Sequence, residues 1–117
     1  MQRLPLIAGN WKMNTTLAEA AELAEAVVAA SRDVTDREVM IAPPFTALGA
    51  LASTVKDSKV ILAGQNVCWE ENGAFTGEIS PVMLRDVGCS MAIVGHSERR
   101  QLFGEKDELV NKRLNGA

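Results

Sequence analysis

The sequence predicts an α/β fold in which parallel strands alternate with helices, and three observations predict it. Four short apolar runs are each bounded by turn residues, the pattern of buried strands. Segments with helical periodicity stand between them, and no hairpin signal joins neighbouring runs. Each run also ends in a loop of functional appearance: Asn10 and Lys12, Pro43 to Phe45, Gln65 onward, and His96 to Arg99. Alternation of this kind implies right-handed crossovers and a parallel sheet, which gathers the loops that follow the strands on one face. Periodicity alone fits an open flavodoxin-like sheet and part of a (βα) barrel equally.

The first strand is Leu6-Ile7-Ala8-Gly9, followed at once by Asn10, Trp11, Lys12, Met13 and Asn14. Thr16 with Glu19 three residues on forms a capping box and opens the first helix. Ala20, Leu23, Ala24 and Val27 make its apolar stripe, while Glu19, Glu22 and Glu25 make a solvated face near the positive end of the helix dipole. Ser31 to Asp36 is a polar exit. Val39-Met40-Ile41-Ala42 is the second strand, stopped by Pro43-Pro44. Thr46 is the expected cap of a helix reaching about Lys56, with Leu48, Leu51, Ala52 and Val55 apolar and Gly49 a mild cost. Val60-Ile61-Leu62-Ala63-Gly64 is the third strand. The polar stretch from Gln65 to Ile79 is long for a connection inside a compact domain, and such loops are functional or disordered. Ser80 followed by Pro81 starts a helix that Gly88 closes. Met91 to Val94 is the fourth strand, and it delivers Gly95-His96-Ser97-Glu98-Arg99-Arg100 to the loop face. A last helix is expected from about Glu105 to Leu114, acidic at its start and basic at Lys112 and Arg113, as its dipole favours.

The 117 residues suffice for one domain, 1–117, with a real core and are too few for two. A net charge of -3 offers no footprint for nucleic acid or an anionic membrane surface. No segment approaches the roughly 20 apolar residues of a membrane span, and Met1 to Pro5 lacks the apolar stretch of a signal peptide. Cys68 and Cys89 form no CxxC pair and there are no clustered histidines, so two separate reduced thiols and no metal site are expected, with a cytoplasmic location. Trp11 and Trp69 read as packing residues and the methionines as gap fillers. His96, the only histidine, stands at a strand end beside the densest charge and is the main candidate for chemistry. Lys12 is raised above an ordinary solvated charge by its place just after a strand. Arg99 and Arg100 read as structural or solvated.

Gly9-Asn10-Trp11-Lys12-Met13-Asn14 resembles the N-terminal motif of the triosephosphate isomerase family, and Ile93-Val94-Gly95-His96-Ser97-Glu98-Arg99-Arg100 resembles its fourth-strand signature. Ala42-Pro43-Pro44, Gly64-Gln65-Asn66 and Gly73-Ala74-Phe75-Thr76-Gly77-Glu78 match in the same order. The resemblance implies a TIM (βα)8-barrel of which this chain carries the (βα)1-4 half. The family reaction interconverts dihydroxyacetone phosphate and glyceraldehyde 3-phosphate through an enediol(ate), with no cofactor. By resemblance Asn10 and Lys12 contact the triose phosphate, and Lys12 stabilises its negative charge. His96 is the electrophile that hydrogen-bonds the carbonyl and enediolate oxygens. A neutral imidazole suits a place at a helix N-terminus, where positive charge is disfavoured. Glu98 pairs with the lysine and takes part in proton shuttling. The segment Gln65–Glu78 resembles the family's homodimer loop, with Phe75, Thr76, Gly77 and Glu78 at the interface and Thr76 deepest.

The family's general-base glutamate follows strand six, its lid comes next, and much of its phosphate cradle lies in the last two units. The resemblance therefore implies that these residues carry the electrophile without the base. Loss of a general base costs about 10²–10⁴-fold in rate, so the isolated chain is expected to be essentially inactive. The rival expectation is a non-catalytic half-barrel. Strands one and four would then have open edges, through which two copies self-associate.

Overall fold

The computed structural model describes residues 3–117; Met1 and Gln2, part of the N-terminal stretch read above, lie outside the described residues. In chain order the elements are β1 (Leu6–Asn10), α1 (Leu17–Ser31), β2 (Glu38–Ala42), α2 (Phe45–Val55), β3 (Val60–Gly64), α3 (Pro81–Asp86), β4 (Met91–Ala92), α4 (Ser97–Leu102) and α5 (Asp107–Gly116). The strands form one parallel sheet in the order β1-β2-β3-β4. Leu6 pairs with Glu38, Val39 with Val60 and Ala63 with Met91. A doubly wound open sheet reverses its strand order at a switch point. Here the order never reverses, so each crossover advances the same way, as in a barrel. The architecture is half of a (βα)8 barrel.

Strand alternation divides the core into two layers. Ile41, Val60 and Leu62 face the helices and pack with Ala20, Ala24, Leu48, Leu51 and Leu84. Met40, Ala42 and Ala63 face the opposite side, against Ile61 and Ile93. Leu48 and Leu51 are fully buried, which stabilises the fold by about 1.5–3 kcal/mol for each such side chain. No described helix is long and apolar enough to cross a membrane.

The local signals set α1 and α3 as expected. Thr16 and Glu19 form the reciprocal capping box of α1. The Ser80 hydroxyl accepts from the Met83 N–H, with Pro81 in the first turn of α3, and Gly88 turns the chain at φ +95. Other expectations are corrected. Pro44, not Thr46, is the residue preceding α2; its extended backbone turns the chain in and its carbonyl accepts from the Ala47 N–H at 3.0 Å. Leu23 is exposed, and α1 meets the core through Ala20 and Ala24, where small side chains let it approach. The outer strands are not buried: Leu6 and Ile7 of β1 are 42% and 54% exposed, since each outer strand has one neighbour in the sheet. β4 is regular only over Met91 and Ala92, although the Ile93 N–H still donates to Gly64 O at 2.8 Å. The segment after it forms a separate short helix, α4. Of the described methionines, Met40 fills the core, whereas Met13, Met83 and Met91 are exposed. The last helix starts at Asp107, leaving Glu105 as a buried residue ahead of it.

Candidate active site

The cleft forms where the strands end. It has a volume of about 300 Å3 and is lined by Asn10, Lys12, Gln65, His96 and Glu98 among others. Asn10 ends β1, Lys12 and Gln65 follow β1 and β3, and the last two follow β4, so one end of the sheet gathers residues far apart in sequence.

Lys12 is the most constrained of them. Its backbone is left-handed at φ +56, and Thr15 nearby has φ +81; among the described residues these are the only non-glycine positions with positive φ. Such conformations cost about 1–3 kcal/mol each and persist where surrounding bonds over-determine them. Those bonds are present. The Lys12 N–H donates to Asn10 Oδ1 at 2.9 Å. The Gln65 side-chain NH2 donates both to Lys12 O and to Ala42 O, each at 2.8 Å. The Trp11 N–H also donates to Ala42 O at 3.1 Å, and Asn14 Nδ2 donates to Trp11 O at 2.7 Å. Gln65 thus ties β1, β2 and β3 together at the floor of the cleft. Sequence reasoning treated it as the first residue of a polar loop; an amide directly after a buried strand was the one available signal. Asn10 spends its side-chain oxygen on the Lys12 turn, which leaves Nδ2 as its donor for a ligand.

His96 is the residue preceding α4, and its Nδ1 accepts from the Glu98 N–H at 3.0 Å. An accepting Nδ1 carries no proton, so the neutral ring holds its hydrogen on Nε2, as a donor. Glu98 Oε1 lies 2.7 Å from Lys12 Nζ, and Oε2 lies 3.6 Å from His96 Nδ1. The hydrogen bond from Lys12 holds the Glu98 carboxyl below its ordinary range; desolvation opposes this, and the charge of Lys12 adds to it. Both members of the Lys12–Glu98 pair are about half exposed. Among the described residues Glu98 is the only carboxylate lining the cleft.

The 65–79 loop is held by its own chain. The Trp69 and Phe75 rings meet edge-on at 5.3 Å and 72°. Gly73, at φ +136, lies so close under Phe75 that a Cβ there would come within 2.8 Å of the ring. Thr76 is exposed and Gly77 borders the cleft. Glu78 turns inward and pairs with Arg113 of α5, a partner that sequence reasoning missed because it read Arg113 only as a complement to the helix dipole. Arg99 also lines the cleft, but Glu105 holds its Nε at 2.7 Å and its guanidinium sits 5.0 Å from the Phe103 ring. Arg100 bonds exposed Asp107.

The triosephosphate isomerase family matches residues 5–117. The curated triosephosphate isomerases of Chloroflexus aurantiacus and Roseiflexus sp. are each 54% identical over 115 residues, covering 98% of this chain and 46% and 45% of their own. A crystal structure of triosephosphate isomerase from Bartonella henselae is similar with a TM-score of 0.91 at 37% identity, covering 97% of this chain and 46% of that one. The chain spans about half the length of the curated relatives it matches. With sequential parallel strands and a likeness that runs nearly end to end through it, this chain belongs to the triosephosphate isomerase family.

Proposed function

We propose that residues 1–117, folding as one unit, supply the electrophilic half of a triosephosphate isomerase site. The observation that carries this reading is the convergence of the Lys12 ammonium, the His96 ring and the Asn10 amide on one cleft, with Lys12 held in a strained backbone. Removing a proton beside a carbonyl of dihydroxyacetone phosphate or glyceraldehyde 3-phosphate builds negative charge on the carbonyl oxygen. Pre-placed donors stabilise that charge more than the ground state. Lys12 supplies positive charge to the phosphate-bearing substrate, and His96 donates from Nε2 to the enediolate oxygens. Glu98 orients the lysine and stands beside His96 for proton shuttling. A general base needs a free lone pair next to the substrate. Glu98 is paired with Lys12, and the pairing lowers its pKa and so its basicity; we therefore place the base outside these residues, along with the rest of the phosphate grip. The native assembly is a cytoplasmic homodimer in which Phe75, Thr76 and Gly77 meet the partner, while Glu78, expected at that interface, braces the loop from within through Arg113.

The test is direct. Turnover by the 117-residue chain falls below that of an intact relative by at least the roughly 10²–10⁴-fold of a missing base. 2-Phosphoglycolate, whose planar carboxylate mimics the enediolate, binds it measurably and is lost on His96→Ala. Turnover within about tenfold of an intact enzyme overturns the assignment of the base. Analogue binding that survives His96→Ala overturns the assignment of the electrophile.

A second reading is favoured by the exposed apolar residues of β1, Leu6 and Ile7, on an outer strand. Outer strands pair with other chains, so two copies associate through β1 of one and β4 of the other. Light scattering coupled to size exclusion checks it, and a stable monomer sinks it.

A further inference from the structure

The helix that His96 precedes has little of its own to hold it. α4 is six residues long and buries none of them, and a helix so short is unstable without tethers. Three ion pairs leave it: Glu98 to Lys12, Arg100 to Asp107 and Arg99 to Glu105. In the first two, both partners are substantially exposed, and such pairs constrain little. The third differs, because the Glu105 side chain is 2% exposed. Glu105 Oε2 accepts from Arg99 Nε at 2.7 Å and from Arg113 Nη2 at 3.0 Å. Its Oε1 has no partner among the described residues, so the whole side-chain hold passes through one oxygen, beside a backbone bond from the Glu105 N–H to Arg99 O at 3.3 Å. Arg99 in turn is joined to the site, since its N–H donates to His96 O at 2.9 Å.

On the far side, Arg113 reaches both stems of the 65–79 loop. Its Nη1 donates to Val67 O at 2.8 Å on the outgoing stem, and it pairs with both Glu78 oxygens on the returning one. The guanidinium also lies 5.2 Å from the Trp69 ring. Two cations and two anions make the cluster neutral, so it is stable as a set and sensitive to loss of any member.

We propose that Glu105 is a positioning residue for His96: by sharing one oxygen between Arg99 and Arg113, it ties the stems of the 65–79 loop to the helix that His96 caps. A displacement of the loop is thereby transmitted to the imidazole and to the Glu98 amide that hydrogen-bonds it. The consequence for substrate rests on the reading of the cleft given above; the mechanical link does not.

The experiment uses the single histidine of the chain as its reporter. The ring nitrogen resonances of His96 and the amide resonance of Glu98 are recorded in the wild-type chain and in Glu105→Gln, Glu78→Gln and Arg100→Ala. The first two variants shift both signals, Glu105→Gln the more, while Arg100→Ala, which removes only the exposed bridge, leaves the His96 ring in place. Affinity for 2-phosphoglycolate falls about 2- to 30-fold in Glu105→Gln. If Glu105→Gln lowers the melting temperature but leaves the His96 and Glu98 signals unmoved, its role is structural and the proposal is overturned. If Glu105→Gln does not fold, Glu78→Gln on the loop stem decides in its place, and unmoved signals there overturn the link equally. A wild-type chain that never binds the analogue defeats the reading of the cleft, while the resonances still judge the link.

Discussion

Two ion clusters lie in this half-barrel and are built in opposite ways. In the cleft, Lys12 and Glu98 meet half exposed, on a backbone bent into a left-handed turn. Beneath the loop, Arg113 and Glu105 are almost fully buried, neither of them at a left-handed backbone position, among paired charges and beside an indole. An exposed pair is screened by solvent and returns little stability, while the Lys12 turn costs about 1–3 kcal/mol. The cleft is therefore a local loss that packing elsewhere offsets, as expected of charges kept free to meet a ligand. The buried cluster stabilises only as a complete set and offers nothing to a ligand. Charge alone does not mark a site; charge held wet at a strained position does.

The largest effect should come from breaking the buried set. Arg113→Met keeps the stem length and leaves Glu78 and Glu105 unbalanced, which should cost about 3–5 kcal/mol, read from urea unfolding. The arginine is charged to begin with: burial works against its charge, but hydrogen bonds and attraction from Glu78 and Glu105 more than offset that and raise its pKa. A cost below about 1 kcal/mol would place this cluster with ordinary surface pairs and erase the contrast with the cleft.

The opposite sign is expected in the cleft. Lys12→Gly removes the Cβ that resists φ +56, so the variant should be as stable as the wild type or more stable by about 1 kcal/mol. It should also lose 2-phosphoglycolate binding. Chemical denaturation and calorimetry on one preparation give both numbers. Destabilisation by more than about 1 kcal/mol would show that the lysine serves the fold.

These two clusters also mark where sequence reasoning stopped. The parallel α/β plan was legible because strand and helix periodicities are local, and because Thr16 with Glu19 and Ser80 with Pro81 announce helix starts within a few residues. Lys12, His96 and Glu98 were legible because strand ends deliver residues to a common face, and their convergence followed once the strands were in place. Burial of the strands was not legible, since Leu6 and Ile7 read the same whether one strand or two lie beside them. The Pro44 start of α2 was hidden by Thr46, a better cap by propensity that lies inside the first turn. Gln65 holds Lys12 and Ala42 across 53 and 23 residues, and Arg113 holds Val67 and Glu78 across 46 and 35. No local pattern records partners at such separations. The helix start at His96 was legible only through the resemblance, and its short length was not, because α4 buries no residue of its own.

The smallest effect sharpens the comparison through pH. The hydrogen bond from Lys12 lowers the Glu98 pKa below its ordinary 4.5; desolvation opposes this, and the charge of Lys12 reinforces it. A carboxyl with a lowered folded pKa contributes whatever stability it has above its unfolded value and loses it as pH falls through the folded one. The Lys12–Glu98 pair should therefore survive acidification to pH 4.5 and part only below it, with little change in overall stability because the pair is solvated. A carbon-13 titration of the Glu98 carboxyl follows this, and in Lys12→Gly its midpoint should climb back toward the ordinary value. A wild-type midpoint at or above 4.5 would mean that the two charges do not meet in solution. The Lys12 turn would then be held by Asn10 and Gln65 alone, and the carboxylate would be free to act on its own.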